Sequence, residues 1–200
     1  MNLTQIAFDL ISKLGYGGLF FGLFIDSFGI PIPSEILVPA ATALVSEGKF
    51  TLVGVFIVAV VAQTLGGLAG YLIGRYAGEP FLLKYGKYVF ISHRDLARTH
   101  LAFQKYGRVL TLVGRCLPVI RGLIAYPAGI AEMPIGTFLI YTTVGSAVWT
   151  AFLMYLGYLL GGHLELIETY GHQLSYLIIG LVLVAVGWHV RQVLKSRQPR

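Results

Sequence analysis

The chain has 200 residues, enough for one compact unit, and 56% of them are hydrophobic while only 12% are charged. An average soluble domain carries roughly 25% charged residues, and the mean hydropathy here is +0.75. That balance excludes a soluble enzyme, a disordered chain and a nucleic-acid module, despite a net charge of +6. In a membrane protein, excess Lys and Arg marks cytoplasmic loops instead of a polyanionic partner. The one cysteine, Cys116, rules out an internal disulfide and a Cys-rich metal site.

Residues 1–14 place Leu3, Ile6, Ala7, Leu10, Ile11 and Leu14 at helical spacing, opposite Asn2, Gln5, Asp9 and Lys13. The pattern predicts a helix lying on the membrane surface. A signal peptide is not expected, because no basic segment precedes the first apolar stretch, which soon meets Asp26. Residues 15–45 are apolar but interrupted by Asp26, Pro31, Pro33, Glu35 and Pro39. A transmembrane helix needs about 20 mostly apolar residues, and this stretch cannot supply them unbroken. A proline-broken segment with ionisable groups is expected as a re-entrant hairpin, buried in protein or lining a polar cavity.

Residues 50–74 hold no charge between Lys49 and Arg75 and form the first predicted span. Residues 75–108, rich in Lys, Arg, His and Tyr, are expected as an amphipathic cytoplasmic connector. Residues 109–131 repeat the earlier interruption with Arg115, Pro118, Arg121 and Pro127, predicting a second re-entrant hairpin. Residues 133–162 and 172–190 give two further spans, and 191–200 form a basic tail. The expected architecture is an all-α polytopic membrane protein, one membrane domain with two re-entrant hairpins and about three full spans.

Orientation follows from the basic residues. Arg75, Lys84, Lys87, Arg94, Arg98, Lys105 and Arg108 fall on the same side as Arg191, Lys195, Arg197 and Arg200. Only Lys13 and Lys49 oppose them, so the C-terminus is expected in the cytoplasm.

The halves resemble each other. Gly15-Tyr16-Gly17 opens the first hairpin and Lys105-Tyr106-Gly107 the second; Gly70-Tyr71-Leu72-Ile73-Gly74 and Gly157-Tyr158-Leu159-Leu160-Gly161 lie near the span ends. With one span between them, the hairpins should enter from opposite faces, as in the inverted repeats of many secondary transporters.

Asp26, Glu35, Arg115 and Arg121 are the ionisable residues of the hairpins. Each costs about 2.5 to 3.5 kcal/mol at the bilayer centre on insertion scales. A purely structural alternative pairs two acids with two bases to hold the hairpins together. The functional reading leaves the charges partly free for a ligand. Arg115 and Arg121 suit phosphate, because a guanidinium offers parallel donors and stays charged when dehydrated. Burial favours the neutral form of a carboxyl group, which makes Asp26 and Glu35 candidates for proton coupling.

Other residues carry less. His93, His100, His163, His172 and His189 sit at predicted interfaces without metal-ligand neighbours, and no metal, cofactor or catalytic residue is expected. Trp149, Trp188 and the terminal tyrosines read as an interfacial belt. Gly66, Gly67, Gly70 and Gly74 read as close helix packing with no ligand implied. No P-loop, Gly-x-Ser-x-Gly or His-Glu-x-x-His occurs.

On these residues the chain resembles the DedA family, within the SNARE-associated Golgi protein or VTT-domain superfamily, over roughly Tyr16 to Gly162. Gly114-Arg115-Cys116-Leu117-Pro118-Val119-Ile120-Arg121, then Ala128-Gly129, Met133 and Phe138, is similar to the family's Arg-x-x-Pro-x-x-Arg, Ala-Gly, Met, Phe pattern. The block Asp26 to Pro39 resembles its acidic, proline-rich hairpin, and Gly145 and Trp149 its Gly-x-x-x-Trp. Asp26 replaces a frequent Glu, and Pro33-Ser34-Glu35 replaces Pro-Gly-Asp or Pro-Gly-Glu. The resemblance implies a bacterial inner-membrane transporter that flips undecaprenyl phosphate or a phospholipid, dependent on the proton-motive force. A proton-coupled carrier of small ions, a membrane phosphatase on lipid phosphates and a non-transporting envelope scaffold are the rival readings. Homo-oligomerisation is compatible with each.

Overall fold

The computed structural model describes residues 11, 13–30, 32, 34–85, 93–117 and 120–159. Most of the predicted surface helix, the third span at 172–190, the basic tail, Pro31, Pro33 and Pro118 lie outside the described residues. Every regular element among the described residues is helical. They are α1 (Tyr16–Phe28), α2 (Ser34–Ser46), α3 (Leu52–Tyr85), α4 (His93–Arg115), α5 (Ala125–Ile130) and α6 (Ile135–Leu159).

Glycine ends the first two helices. Gly29 takes a left-handed φ of 112°, its N–H donates to the Asp26 carbonyl at 3.0 Å, and Ile30 N–H donates to the Ile25 carbonyl at 3.2 Å. Gly48, at φ 73°, closes α2 the same way onto Val45 and Leu44. Only a residue without Cβ adopts this geometry cheaply. Within α2, Pro39 has no N–H to offer, so the Glu35 carbonyl loses its intrahelical donor. After α4, Cys116 N–H donates to the Val113 carbonyl and Arg121 N–H to the Leu117 carbonyl.

The first 27 residues of α3, Leu52–Gly78, and the 25 of α6 are long and apolar enough to cross a membrane. At 1.5 Å per residue each spans roughly 40 Å, against a hydrocarbon core of about 30 Å. By the same measure the 13-residue α1 and α2 each reach only about 20 Å. Two boundaries differ from the sequence reading. α3 runs on through Arg75 to Tyr85, and α4 begins at His93 and passes Lys105 without a break. The predicted connector is thus partly the continuation of the two flanking helices, because neither Arg75 nor Arg108 breaks a helix.

α1 and α5 pack on α3, while α2 and α4 pack on α6, and α3 crosses α6. Exchanging α1 with α4, α2 with α5 and α3 with α6 maps these principal contacts onto themselves. Each half therefore packs its second helix, α2 or α5, on the other half's long one. One core joins Leu19, Leu23, Leu37, Leu44, Val55 and Leu153, and another joins Tyr71, Phe103, Ala125, Met133 and Phe138.

The outer faces are apolar too. Val53, Ile57, Val61 and Leu65 form an exposed stripe along α3, and Ile140, Val144, Val148 and Tyr155 another along α6. Stripes of this length would be a liability in water and are the expected lipid-facing surface of a membrane protein.

The two helix breaks meet. A Cβ on Gly122 would lie 2.6 Å from the Asp26 carbonyl oxygen and 3.2 Å from the Gly29 Cα. Tyr126 Oη donates to the Phe28 carbonyl at 2.5 Å. Sequence-distant segments carrying the acids and the bases are thereby brought into contact.

Candidate functional site

Asp26 and Ser27 sit in the last turn of α1, and Ser34 and Glu35 in the first turn of α2. Arg115 is the last residue of α4, and Arg121 follows in the turns before α5. The fold brings all four ionisable residues to one buried cluster, but it does not pair them two and two.

Arg121 takes both acids. Its Nη2 lies 2.9 Å from Asp26 Oδ1 and 2.8 Å from Oδ2, and 3.7 Å from Glu35 Oε2. Its Nη1 donates to Ser34 Oγ. The Arg121 side chain is 3% exposed, Asp26 8% and Glu35 18%. This is a buried ion pair reinforced by a hydroxyl, with Glu35 as the wetter and looser member.

Trp149 closes the cluster from α6. It is buried, its Nε1 donates to Ser34 Oγ at 3.5 Å, and its ring centroid is 6.0 Å from Arg121 Cζ. The interfacial-belt reading of Trp149 is therefore corrected. Its N–H finds a protein hydroxyl and its ring faces a cation, which aromatic spacing along the sequence could not reveal.

Arg115 is different. It is buried, and among the described residues no carboxylate lies within ion-pair distance of it. Its Nη1 donates to Ser27 Oγ at 3.2 Å, while Nε and Nη2 have no partner. Leaving a buried guanidinium donor unmade is costly. An anion would satisfy those donors.

Arg115 reaches this position through two notches. Gly145 of α6 lies against its stem, where a Cβ would fall 2.7 Å from Arg115 Cβ. Gly67 of α3 lies against the guanidinium, and a Cβ there would collide with Nη2. The packing glycines thus divide. Gly66 meets the α1 backbone at Phe24 and Gly74 the backbone of Tyr126, whereas Gly67 accommodates a charged side chain. Ser27, Ser34 and Gly67 were not legible as site residues, since serine and glycine beside apolar runs are ordinary in membrane helices.

Comparison with known proteins identifies the family. The VTT domain profile matches residues 32–159. Undecaprenyl phosphate transporter A of Bacillus subtilis (strain 168) is 34% identical over 184 residues, covering 91% of this chain and 91% of that protein. The uncharacterized membrane protein YkoX of the same organism is 37% identical over 196 residues, covering 96% and 84%. An alkaline phosphatase-like protein of Lactococcus lactis subsp. lactis (strain IL1403) is 30% identical over 189 residues, covering 92% and 87%. No solved structure matches the chain. With two helices long and apolar enough to cross a membrane, exposed apolar stripes and this match over most of its length, the chain belongs to the VTT-domain, or DedA, family of membrane proteins.

Proposed function

We propose that this protein is a lipid transporter that moves a phosphate-bearing lipid across the bacterial cytoplasmic membrane. Undecaprenyl phosphate is the favoured cargo, in keeping with the name of the Bacillus subtilis relative, and a phospholipid is the second choice. One observation carries the reading. A buried arginine, Arg115, keeps unpaired donors beside a second arginine whose charge is matched by carboxylates. A protein that needed these charges only for cohesion would have paired both.

In this reading Arg115 receives the phosphate first, and Arg121 joins when its carboxylates are protonated. The four ionisable side chains sum to zero charge when all are ionised. Protonating Asp26 or Glu35 gives the cluster net positive charge and loosens the hold on Arg121. Proton binding and phosphate binding then strengthen one another, as linkage requires. Glu35 is the looser member of the cluster, being partly exposed and 3.7 Å from Arg121 against 2.8 Å for Asp26.

The helix pairs α1–α2 and α4–α5 would act as two re-entrant hairpins of an inverted repeat. The short arms of the first pair, the contact between the two breaks and the packing scheme that survives exchange of the halves support this. The basic residues of the connector and tail favour a cytoplasmic C-terminus.

The test is reconstitution of the full chain in liposomes with labelled undecaprenyl phosphate, following leaflet exchange with and without a pH gradient. Exchange above empty liposomes, lost in Arg115→Ala, is the expected result. Release of inorganic phosphate without exchange would favour the phosphatase reading instead.

A further inference from the structure

Seven serine and threonine residues are buried among the described residues. Five have partners. Ser27 and Ser34 accept from the arginines, Thr42 Oγ1 donates to the Val38 carbonyl at 2.8 Å, Thr111 meets Met133, and Thr150 accepts from Gln63. Thr142 and Ser146 of α6 have none, although both are fully buried. A helical hydroxyl ordinarily bonds the carbonyl four residues back when nothing better is offered, as Thr42 does. These two do not.

Their position gives the omission a direction. Thr142 and Ser146 are one helical turn apart, on the same face of α6. Gly145, which packs against the Arg115 stem, lies between them in sequence. Trp149, which faces Arg121, stands less than one turn beyond Ser146. The Arg115 side chain runs from Gly145 at its Cβ to Gly67 at its Nη2, so the unpartnered Nε lies between α6 and α3. Two unpartnered hydroxyls therefore lie within one turn of Gly145, the residue on which the stem of the incompletely partnered Arg115 packs.

We propose that Thr142 and Ser146 complete, with Arg115, a subsite for a terminal phosphate group, and that they set its preference for a monoester over a diester. This rests on the transport reading above and deepens it. A terminal phosphate presents three non-bridging oxygens, so it can meet the guanidinium on one side and the α6 hydroxyls on another. A diester presents two and carries a substituent where the third would be. The hydroxyls add selectivity without adding charge, which keeps the site releasable.

The experiment uses the full chain in nanodiscs and reads both binding and thermal unfolding. The ligands are undecaprenyl phosphate and the diester phosphatidylglycerol, with inorganic phosphate as competitor. The variants are Thr142→Val, Ser146→Ala, the hydroxyl-preserving Thr142→Ser and Ser146→Thr, and Arg115→Ala. Thr142→Val and Ser146→Ala are expected to weaken monoester binding about tenfold each, the loss of one hydrogen bond to a charged group. Diester binding should change little, and the hydroxyl-preserving variants should bind nearly as the parent does. Unfolding temperature should stay level or rise, because an unsatisfied buried hydroxyl has been removed. Displacement by inorganic phosphate at comparable concentration would keep the subsite and assign it to the free ion.

Unchanged monoester binding in both variants, with binding lost in Arg115→Ala, overturns the hydroxyl subsite and leaves the transporter standing. A fall in unfolding temperature with unaltered monoester-to-diester preference also overturns it, making the hydroxyls structural. Failure of the parent protein to bind either lipid overturns both readings.

Discussion

Arg121 Nη2 lies within 2.9 Å of both carboxylate oxygens of Asp26, a residue 95 positions earlier in the chain. The pair ties the break after α4 to the end of α1. It also makes the two arginines chemically unequal, since among the described residues Arg115 donates only to the Ser27 hydroxyl.

That inequality predicts unequal stability effects. Arg121→Met strands Asp26 and Glu35 without their counter-charge, which should cost about 3 to 5 kcal/mol, the usual penalty for breaking a buried pair. Arg115→Met gives up one hydrogen bond to Ser27 and removes two donors without a partner, so it should change stability far less than Arg121→Met, while abolishing lipid exchange. Thermal unfolding of the two variants in one detergent makes the comparison. Equal destabilisation would mean that Arg115 has a counter-charge of its own.

Lysine substitution separates geometry from charge. Arg115→Lys keeps the positive charge but loses the planar fork that holds two oxygens. Exchange should fall nearly as far as in Arg115→Ala, and the same holds for Arg121→Lys. If both lysine variants exchange lipid at the parent rate, the phosphate-clamp reading is wrong.

Adjacent glycines should fail in different ways. Gly66→Ala drives a methyl group into the α1 backbone at Phe24, so it should lower the unfolding temperature. Gly67→Ala meets first the far end of the Arg115 side chain, a flexible chain that can shift where backbone cannot. It should leave stability nearly unchanged and reduce exchange about tenfold or more, the scale on which misplaced binding groups act. Gly17→Ala, which meets nothing within 4 Å, is the control. A fully active Gly67→Ala would show that Arg115 need not occupy its present slot.

Proton coupling is tested on Glu35. On the proposed coupling, a proton on this carboxylate would remove one negative charge from the cluster and favour phosphate. Glu35→Gln fixes that uncharged form, so it should retain lipid binding and lose the response to a pH gradient. Asp26→Asn should do the same at a larger cost in stability, because it breaks the closer of the two contacts to Arg121. A wild-type pH response in Glu35→Gln would falsify its coupling role.

Much of this was already written in the chain's own pattern. Charge-free runs marked α3 and α6, the two helices among the described residues that are long and apolar enough to cross a membrane. Prolines and ionisable residues marked the two interrupted segments, because neither is cheap in a lipid-facing helix. The four candidate residues Asp26, Glu35, Arg115 and Arg121 stood out for the same reason. Helix boundaries near Arg75 and Arg108 did not, because a charge ends an apolar run without ending a helix. Pairing was equally hidden: two acids and two bases are compatible with several arrangements, and only packing decides that Arg121 takes both carboxylates. The placement of Trp149, Gly67, Thr142 and Ser146 also belongs to tertiary structure. Their chemistry depends on which surface of α3 or α6 meets Arg115 and Arg121, and helical periodicity specifies a face without specifying what that face will touch.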